Sequence, residues 1–417
     1  MSGMKDSGIE WIGKIPSDWE VMPNKYLMYK TKSICPVYQG EDILSLTMKG
    51  VIVRDLDAGG KMPTSFDGYQ RLEAGNLLMC LFDIDVTPRC VGLIKQPGVS
   101  SPAYSQFVLK DSADAAYYCY YYTMLDNDKT LLHLAKNLRH SLTEEQLGAV
   151  ATVVPPINEQ KRIAAFLDIR CAEVDALTAD IQSQLDTLEQ YKRSVITEAV
   201  TKGLNPNSEM KDSGIQWIGK MPSHWDCIRG KYILKYLQKP VRADDGVITC
   251  FRDGEVTLRS NRREDGFTMS DKEIGYQGID VGDLVVHGMD GFAGAIGISD
   301  SRGKASPVLN VLGTKQNKRY IMYYLRSMAY SDVFLALATG IRVRSCDLRW
   351  NKLAELFYPV PPIEEQEAIV TYIDSVLQKT NDVILQKKEQ LTTLESYKKS
   401  LIYEYVTGKK EAPGHES

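Results

Sequence analysis

The chain is written twice. Met4 to Tyr26, "MKDSGIEWIGKIPSDWEVMPNKY", and Met210 to Tyr232, "MKDSGIQWIGKMPSHWDCIRGKY", agree at 15 of 23 positions at an offset of 206. The same offset relates "VPPINEQ" (154–160) to "VPPIEEQ" (360–366), and "LEQYKRSVITEAVTKG" (188–203) to "LESYKKSLIYEYVTGK" (394–409). Between these anchors the likeness thins: "GYQRLEAGNLLM" at 68–79 answers "GYQGIDVGDLVV" at 275–286, one residue out of step. Stacked solenoids repeat every ~20–45 residues. The duplicated object is therefore a two-part unit, a variable body between a fixed opening and a fixed closing segment.

Each opening contains "GIxWIGK", which has the spacing of a phosphate-binding loop. Such a loop needs glycines that let backbone N–H groups wrap a phosphate, and a Ser or Thr after the Lys to hold magnesium. Ile15 or Met221 stands at that position, Pro16 or Pro222 follows, and Trp and Ile fill the interior. The residue before a proline is pushed away from helical angles. No nucleotide site is expected there.

The closing segments read as long helices. From Glu159 to Lys202 there is no Pro or Gly, and apolar residues recur at Val174, Leu177, Ile181, Leu185, Leu188 and Val195. The second run has Ile373, Leu377, Ile384, Leu391, Leu394 and Leu401. Some 40 residues of helix extend roughly 60 Å. A narrow apolar stripe on so long a helix requires a partner helix, and the repeat supplies one. With a body between them, the two would pair antiparallel as a coiled coil. Gly203, Asn205 and Pro206 stop the first helix and Gly408 the second, so the tail beyond is expected to fray.

The bodies read as mixed β structure with some helix. Leu77–Phe82 and Leu284–Val286 have strand character between Gly, Asp and Asn. The run Tyr117–Tyr122 and "RYIMYYLRSM" (319–328) read as amphipathic helices with aromatics facing a core. Glycines in "HGMDGFAGAIGI" (287–298) fit turns and strands better than a dinucleotide fingerprint, since no helix clearly follows. The fold class is thus α+β. Its expected divisions are a body at 1–157, a helix at 158–203, a body at 204–363, a helix at 364–408 and a tail at 409–417.

Composition excludes several classes. With 417 residues the chain needs more than one core, and its 43% hydrophobic and 25% charged content is that of a soluble protein. No window suits a membrane span or a signal peptide, so a cytoplasmic location is expected. Eight scattered cysteines without a C-x-x-C pair, and five dispersed histidines, argue against a structural metal. The net charge is −4, but residues 210–363 carry 22 Lys and Arg against 17 Asp and Glu, whereas residues 1–157 carry 15 against 18. A local positive excess in an acidic chain suits a polyanionic partner.

Together, the paired "DSGIxWIGKxPSxW", the paired "VPPIxEQ" and the order body, helix, body, helix resemble the specificity subunit of Type I DNA restriction-modification systems, over essentially the whole chain. That resemblance implies two target-recognition domains, each reading one half of a bipartite double-stranded DNA site. It implies that the antiparallel helices space the half-sites and dock two modification subunits. S-adenosylmethionine, ATP and Mg would reside on the modification and restriction subunits, and no cofactor, metal or catalysis on this chain. No [ND]-P-P-[FY] methyltransferase motif and no complete phosphate loop is present, in keeping with that role.

Candidate DNA contacts in the second body are Arg252, Arg259, Arg262, Arg263, His287, Asp290, Arg342, Arg344 and Arg349. Those in the first are Lys61, Arg71, Asp83, Asp85, Arg89, Lys136 and Arg139. Arg can bridge guanine O6 and N7 or grip phosphate, and Asp can accept from cytosine N4. A protein scaffold that never touches DNA is the alternative, and the second body's surplus of Arg argues against it.

Overall fold

The computed structural model describes residues 3–57, 63–87, 89–135, 140–262, 273–337 and 348–413. The chain divides into two compact units, Met1–Ile181 with Glu389–Ser417, and Gln182–Lys388. Each unit therefore holds one body and parts of both long helices.

In the first unit, strands Met4–Asp6 and Lys14–Pro16 pair antiparallel. The loop between them turns through Gly8 and Gly13, with φ of +70° and +69°, values that suit glycine. This places Ile9, Ile12 and Ile15 in the core at 4%, 2% and 0% exposure. The motif is an apolar wedge, and its glycines serve the turn rather than a phosphate.

The central sheet of this unit has four antiparallel strands, β1 (Met28–Thr31), β2 (Leu77–Met79), β3 (Val91–Leu93) and β4 (Ser105–Leu109), in the order β3-β2-β4-β1. Helix α1 (Ala115–Asn127) packs on β3 and is capped by Asp114, whose carboxylate accepts from Tyr117 N at 2.9 Å. Tyr117, Tyr118, Tyr121 and Tyr122 are at most 1% exposed and meet edge to face. These four tyrosines are core, while Tyr120 of the same run is half-buried, its Oη donating to Asp168 at 2.7 Å.

In the second unit, strands β5 (Leu234–Leu237), β8 (Leu284–His287), β9 (Ile296–Ile298) and β10 (Leu309–Thr314) form a sheet in the order β5-β10-β8-β9. This is the topology of the first sheet, kept where the sequences have drifted apart. A hairpin, β6 (Ile248–Cys250) with β7 (Val256–Leu258), stands beside it. Helix α3 (Lys318–Tyr330), capped by Asn317, buries Tyr320 and Tyr324 against Tyr358.

The long helices are α2 (Ile157–Lys202) and α5 (Ile363–Val406), of 46 and 44 residues. The Gln of "VPPIxEQ" explains why that motif recurs. Gln160 Nε2 donates to Pro155 O and Ser112 O while its Oε1 accepts from Asp114 N. Gln366 donates to Pro361 O and Gln316 Oε1 and accepts from Asn317 N. Both glutamines are 0% exposed, and each ties the start of a long helix to the cap of the tyrosine helix in its own unit.

Within the first unit the helices run antiparallel: Phe166 meets Tyr405 with centroids 4.5 Å apart, and Asp175 meets Lys398 at 2.5 Å. In the second, Ile196, Ala199 and Val200 share a core with Ile369, Val370 and Ile373. Of the stripe residues, Val174, Leu185, Val195, Ile373, Ile384 and Leu401 are buried, and Ile181, Leu188, Leu377, Leu391 and Leu394 are half-buried. Leu177 is different: it is 53% exposed and does not belong to the stripe. Half-buried Thr178 takes the place, its Oγ1 donating to Val174 O at 2.9 Å. Steps of four, three, four and three from Val174 pass through 178, 181, 185 and 188, and residue 177, one back from 178, lies ~100° round the helix.

Residues 409–413 are held rather than frayed. Lys409 Nζ donates to Ile12 O and Lys14 O, and Ala412 is 2% exposed. Sequence reasoning missed this because the anchoring carbonyls lie nearly 400 residues away.

Candidate nucleic-acid interface

The second unit gathers several of the expected contact residues at one cleft. Hairpin β6–β7 supplies Thr249, Phe251, Arg252, Asp253, Arg259 and Arg262, and the loop after β8 supplies His287 and Asp290. A tight turn closes the hairpin, with Gly254 N donating to Phe251 O and Phe251 N to Glu255 O. Arg326, from α3, braces it by donating to Gly254 O at 2.9 Å and Ile296 O at 2.7 Å.

Each charged side chain here has a distinct setting. Arg262 forks onto Asp253 at 3.1 and 2.6 Å, reaches Glu255 at 3.2 Å and lies over Phe251, 4.2 Å from the ring centroid. Arg259 is half-buried, with Nε 3.4 Å from Thr249 Oγ1. Arg252 reaches Asp290 through one nitrogen at 2.9 Å, and its side chain is 65% exposed. His287 Nδ1 accepts backbone N–H bonds from Met289 and Asp290, which puts the proton of a neutral ring on Nε2. Burial lowers the pKa of His287, so the neutral form prevails at pH 7. Arg349 is exposed at the start of α4 (Trp350–Glu355). Arg263, Arg342 and Arg344 lie outside the described residues.

The first unit is unlike this. Arg89, expected at the DNA, has a side chain 15% exposed that donates to Asp126 at 3.3 Å and Asn127 at 3.0 Å. Asp126, 1% exposed at its side chain, must be neutralised where it sits, and Arg89 and Lys129 do so. Arg71 on its strand lies 3.7 Å from Glu41 and 3.7 Å from Cys35 Sγ. Asp83 is exposed with φ of +47° and opens a turn, its carbonyl accepting from Val86 N and Thr87 N. Asp85, in the same turn, is paired with His140 at 2.9 Å, and that bond lowers its pKa. Lys61, Lys136 and Arg139 lie outside the described residues.

Sequence reasoning missed Phe251, Asp253 and Thr249 as cleft residues. The usable signal was the alternation in "FRDGEVTLRSNRR", a tight turn between short apolar runs that sets Arg252, Arg259 and Arg262 along one cleft. Among the described residues there is no group of three or more metal-ligating side chains, and no helix is long and apolar enough to cross a membrane.

The geometry defines a duplicated α+β protein with a long helix closing each half and a basic cleft in the second. No family model matches the chain. A "putative type I restriction enzyme MjaX specificity subunit" of Methanocaldococcus jannaschii is 22% identical over 427 residues, covering 95% of each chain. The "type I restriction enzyme MjaVIII specificity subunit" of the same organism is 24% identical over 273 residues, 61% of each chain. Two solved structures share the fold at 13% identity. One, described as concerning complex assembly and conformational transition of the type I R-M system, has a TM-score of 0.69 and matches 95% of this chain and 99% of its own. The other, the HsdS subunit from Thermoanaerobacter tengcongensis, has a TM-score of 0.51 and matches 95% and 98%. The chain is thus similar along its length to specificity subunits of Type I restriction enzymes, the resemblance that its repeated motifs carry.

Proposed function

We propose that this chain is the sequence-specific DNA-recognition subunit of a Type I restriction-modification complex. The observation that carries the reading is the match along 95% of both chains to a specificity subunit, made by a chain whose two halves repeat one plan. In this reading, residues 1–157 and 204–363 each read one half of a bipartite site in double-stranded DNA. Helices 158–203 and 364–408 hold the half-sites apart and dock two modification subunits, which carry S-adenosylmethionine. Restriction subunits bring ATP and Mg, and this chain itself contributes no catalysis.

The basic cleft favours this over a scaffold that avoids DNA. Arg252, Arg259 and Arg262 along this cleft supply both charge that draws phosphates and forked donors that can read guanine. The first body, with its negative balance, reads DNA through a local patch or leans on its partners for phosphate contacts. The test is reconstitution of the chain with and without its cognate modification subunits, followed by DNA binding at controlled salt and mapping of methylated sites. A two-part methylated motif is expected. A complex that methylates no specific site would sink the reading.

A further inference from the structure

We propose that Arg252 and Asp290 jointly read one G·C base pair in the half-site bound by the second body, an inference that rests on the DNA-recognition reading above. Arg252 donates to guanine O6 and N7, and Asp290 accepts from the N4 amino group of the paired cytosine.

The two side chains reach the cleft from different loops and meet there. Arg252 Nη2 donates to Asp290 Oδ1 at 2.9 Å, which engages one nitrogen of a five-donor guanidinium whose side chain is 65% exposed. Asp290 Oδ2 stands 3.9 Å from His287 Nε2, beyond hydrogen-bond reach. The pair thus presents a donor fork beside an anionic acceptor. In the major groove a G·C pair shows two acceptors on guanine and a donor on cytosine, in that order across the groove. An A·T pair places its one donor between two acceptors and does not match.

Neighbouring arginines are less suited to the task. Arg262 is forked onto Asp253 and stacked on Phe251, so it shapes the hairpin, and Arg259 is turned to Thr249. The backbone under the reading pair is fixed. Gly294, at φ of +98°, packs so closely beneath the hairpin that a Cβ there would lie 2.8 Å from Arg252 O. Asp290 O accepts from Ala293 N and Ala295 N, and His287 Nδ1 takes the N–H of Asp290 itself. A reading pair held this way keeps its geometry before DNA arrives, as specific recognition requires.

The experiment uses the full chain assembled with its modification subunits, with methylated motifs mapped by sequencing over random DNA. Arg252→Ala should lower the preference at a single G·C position of one half-site by ~10-fold or more. Asp290→Ala should relax the same position, and Arg252→Lys, which keeps charge without the fork, should resemble Arg252→Ala. The other half-site is the internal control for folding and should be unchanged. The inference is overturned if the variants keep the whole motif, if methylation falls evenly with no position altered, as for a phosphate contact, or if the relaxed position is an A·T pair. A wild-type complex with no motif at all would remove the parent reading as well, which distinguishes the two failures.

Discussion

Tyr117 and Val406, 289 residues apart, meet where the phenol Oη donates to the backbone carbonyl at 2.8 Å. The last carbonyls of a helix lack intrahelical donors. Here the end of α5 lies in the first unit's core, and a buried tyrosine supplies what water cannot. The second unit repeats the device: Tyr320 Oη lies 3.0 Å from Val200 O near the end of α2, and 3.0 Å from Pro359 O. Each body thus closes over the far end of the other repeat's long helix. Tyr117→Phe keeps the ring and orphans the carbonyl, so it should destabilise the chain by roughly 1–3 kcal/mol. Urea unfolding of the full chain measures this, and a change below about 0.5 kcal/mol would mean that the carbonyl finds another donor.

The glycines that end those helices should respond unequally to one substitution. Gly203 and Gly408 both have positive φ, at +74° and +68°. A Cβ at Gly408 would lie 2.4 Å from Pro16 Cδ and 2.9 Å from Trp19, whereas at Gly203 its nearest neighbour would be Trp225 at 3.1 Å. Left-handed backbone alone costs a non-glycine residue about 1–2 kcal/mol. Gly408→Ala adds a clash with a rigid ring and should cost clearly more than Gly203→Ala. Equal losses in thermal melts of the two variants would show that the opening motif yields to the intruding methyl.

Much of this architecture was legible because one sequence contained its own comparison. The "EQ" of each closing motif stands at matched positions and a Gly follows each helix, one residue out of step with the repeat, and each proves to be a specific joint in its own unit. Leu177 misled because hydrophobicity alone cannot separate an apolar residue on a seam from one beside it, and a threonine bonded to its own helix filled the seam. Arg89 has a setting that was hidden for another reason. Its partner Asp126 is 37 residues away, and nothing local signals that this arginine neutralises a buried carboxylate.

A charge cluster in the second unit sets an acid response. Asp280 is drawn down to about 2 from the ordinary 3.8, first by the hydrogen bond from Lys239 and then by that from Arg302. A carboxyl with a depressed folded-state value stabilises the fold fully above its unfolded value and loses that contribution as pH falls through the folded one. The window is therefore from just under 4 down to about 2. The Asp280 side chain is 44% exposed, so screening limits the contribution to under about 1 kcal/mol at neutral pH. Asp280→Asn should flatten the difference in melting temperature across that window, more at low salt than at high. An identical pH slope in variant and wild type would assign the acid response to other carboxylates such as Asp245, which Arg302 also holds down.

The proposed spacer role makes a prediction about DNA rather than stability. The helices pair antiparallel within each unit, so a matched lengthening requires one insertion in each, after Ile181 and after Lys388, where the units divide. Seven residues preserve the three-and-four spacing of the seam and add ~10 Å of helix to each strand of the pair. At ~3.4 Å per base pair, the gap in the recognised site should grow by about three base pairs while both half-sites keep their bases. Mapping methylated motifs for the reconstituted wild-type and lengthened complexes reads both quantities at once. A gap that stays the same would show that something other than helix length sets it, and altered half-sites with an unchanged gap would move sequence reading from the bodies to the helices.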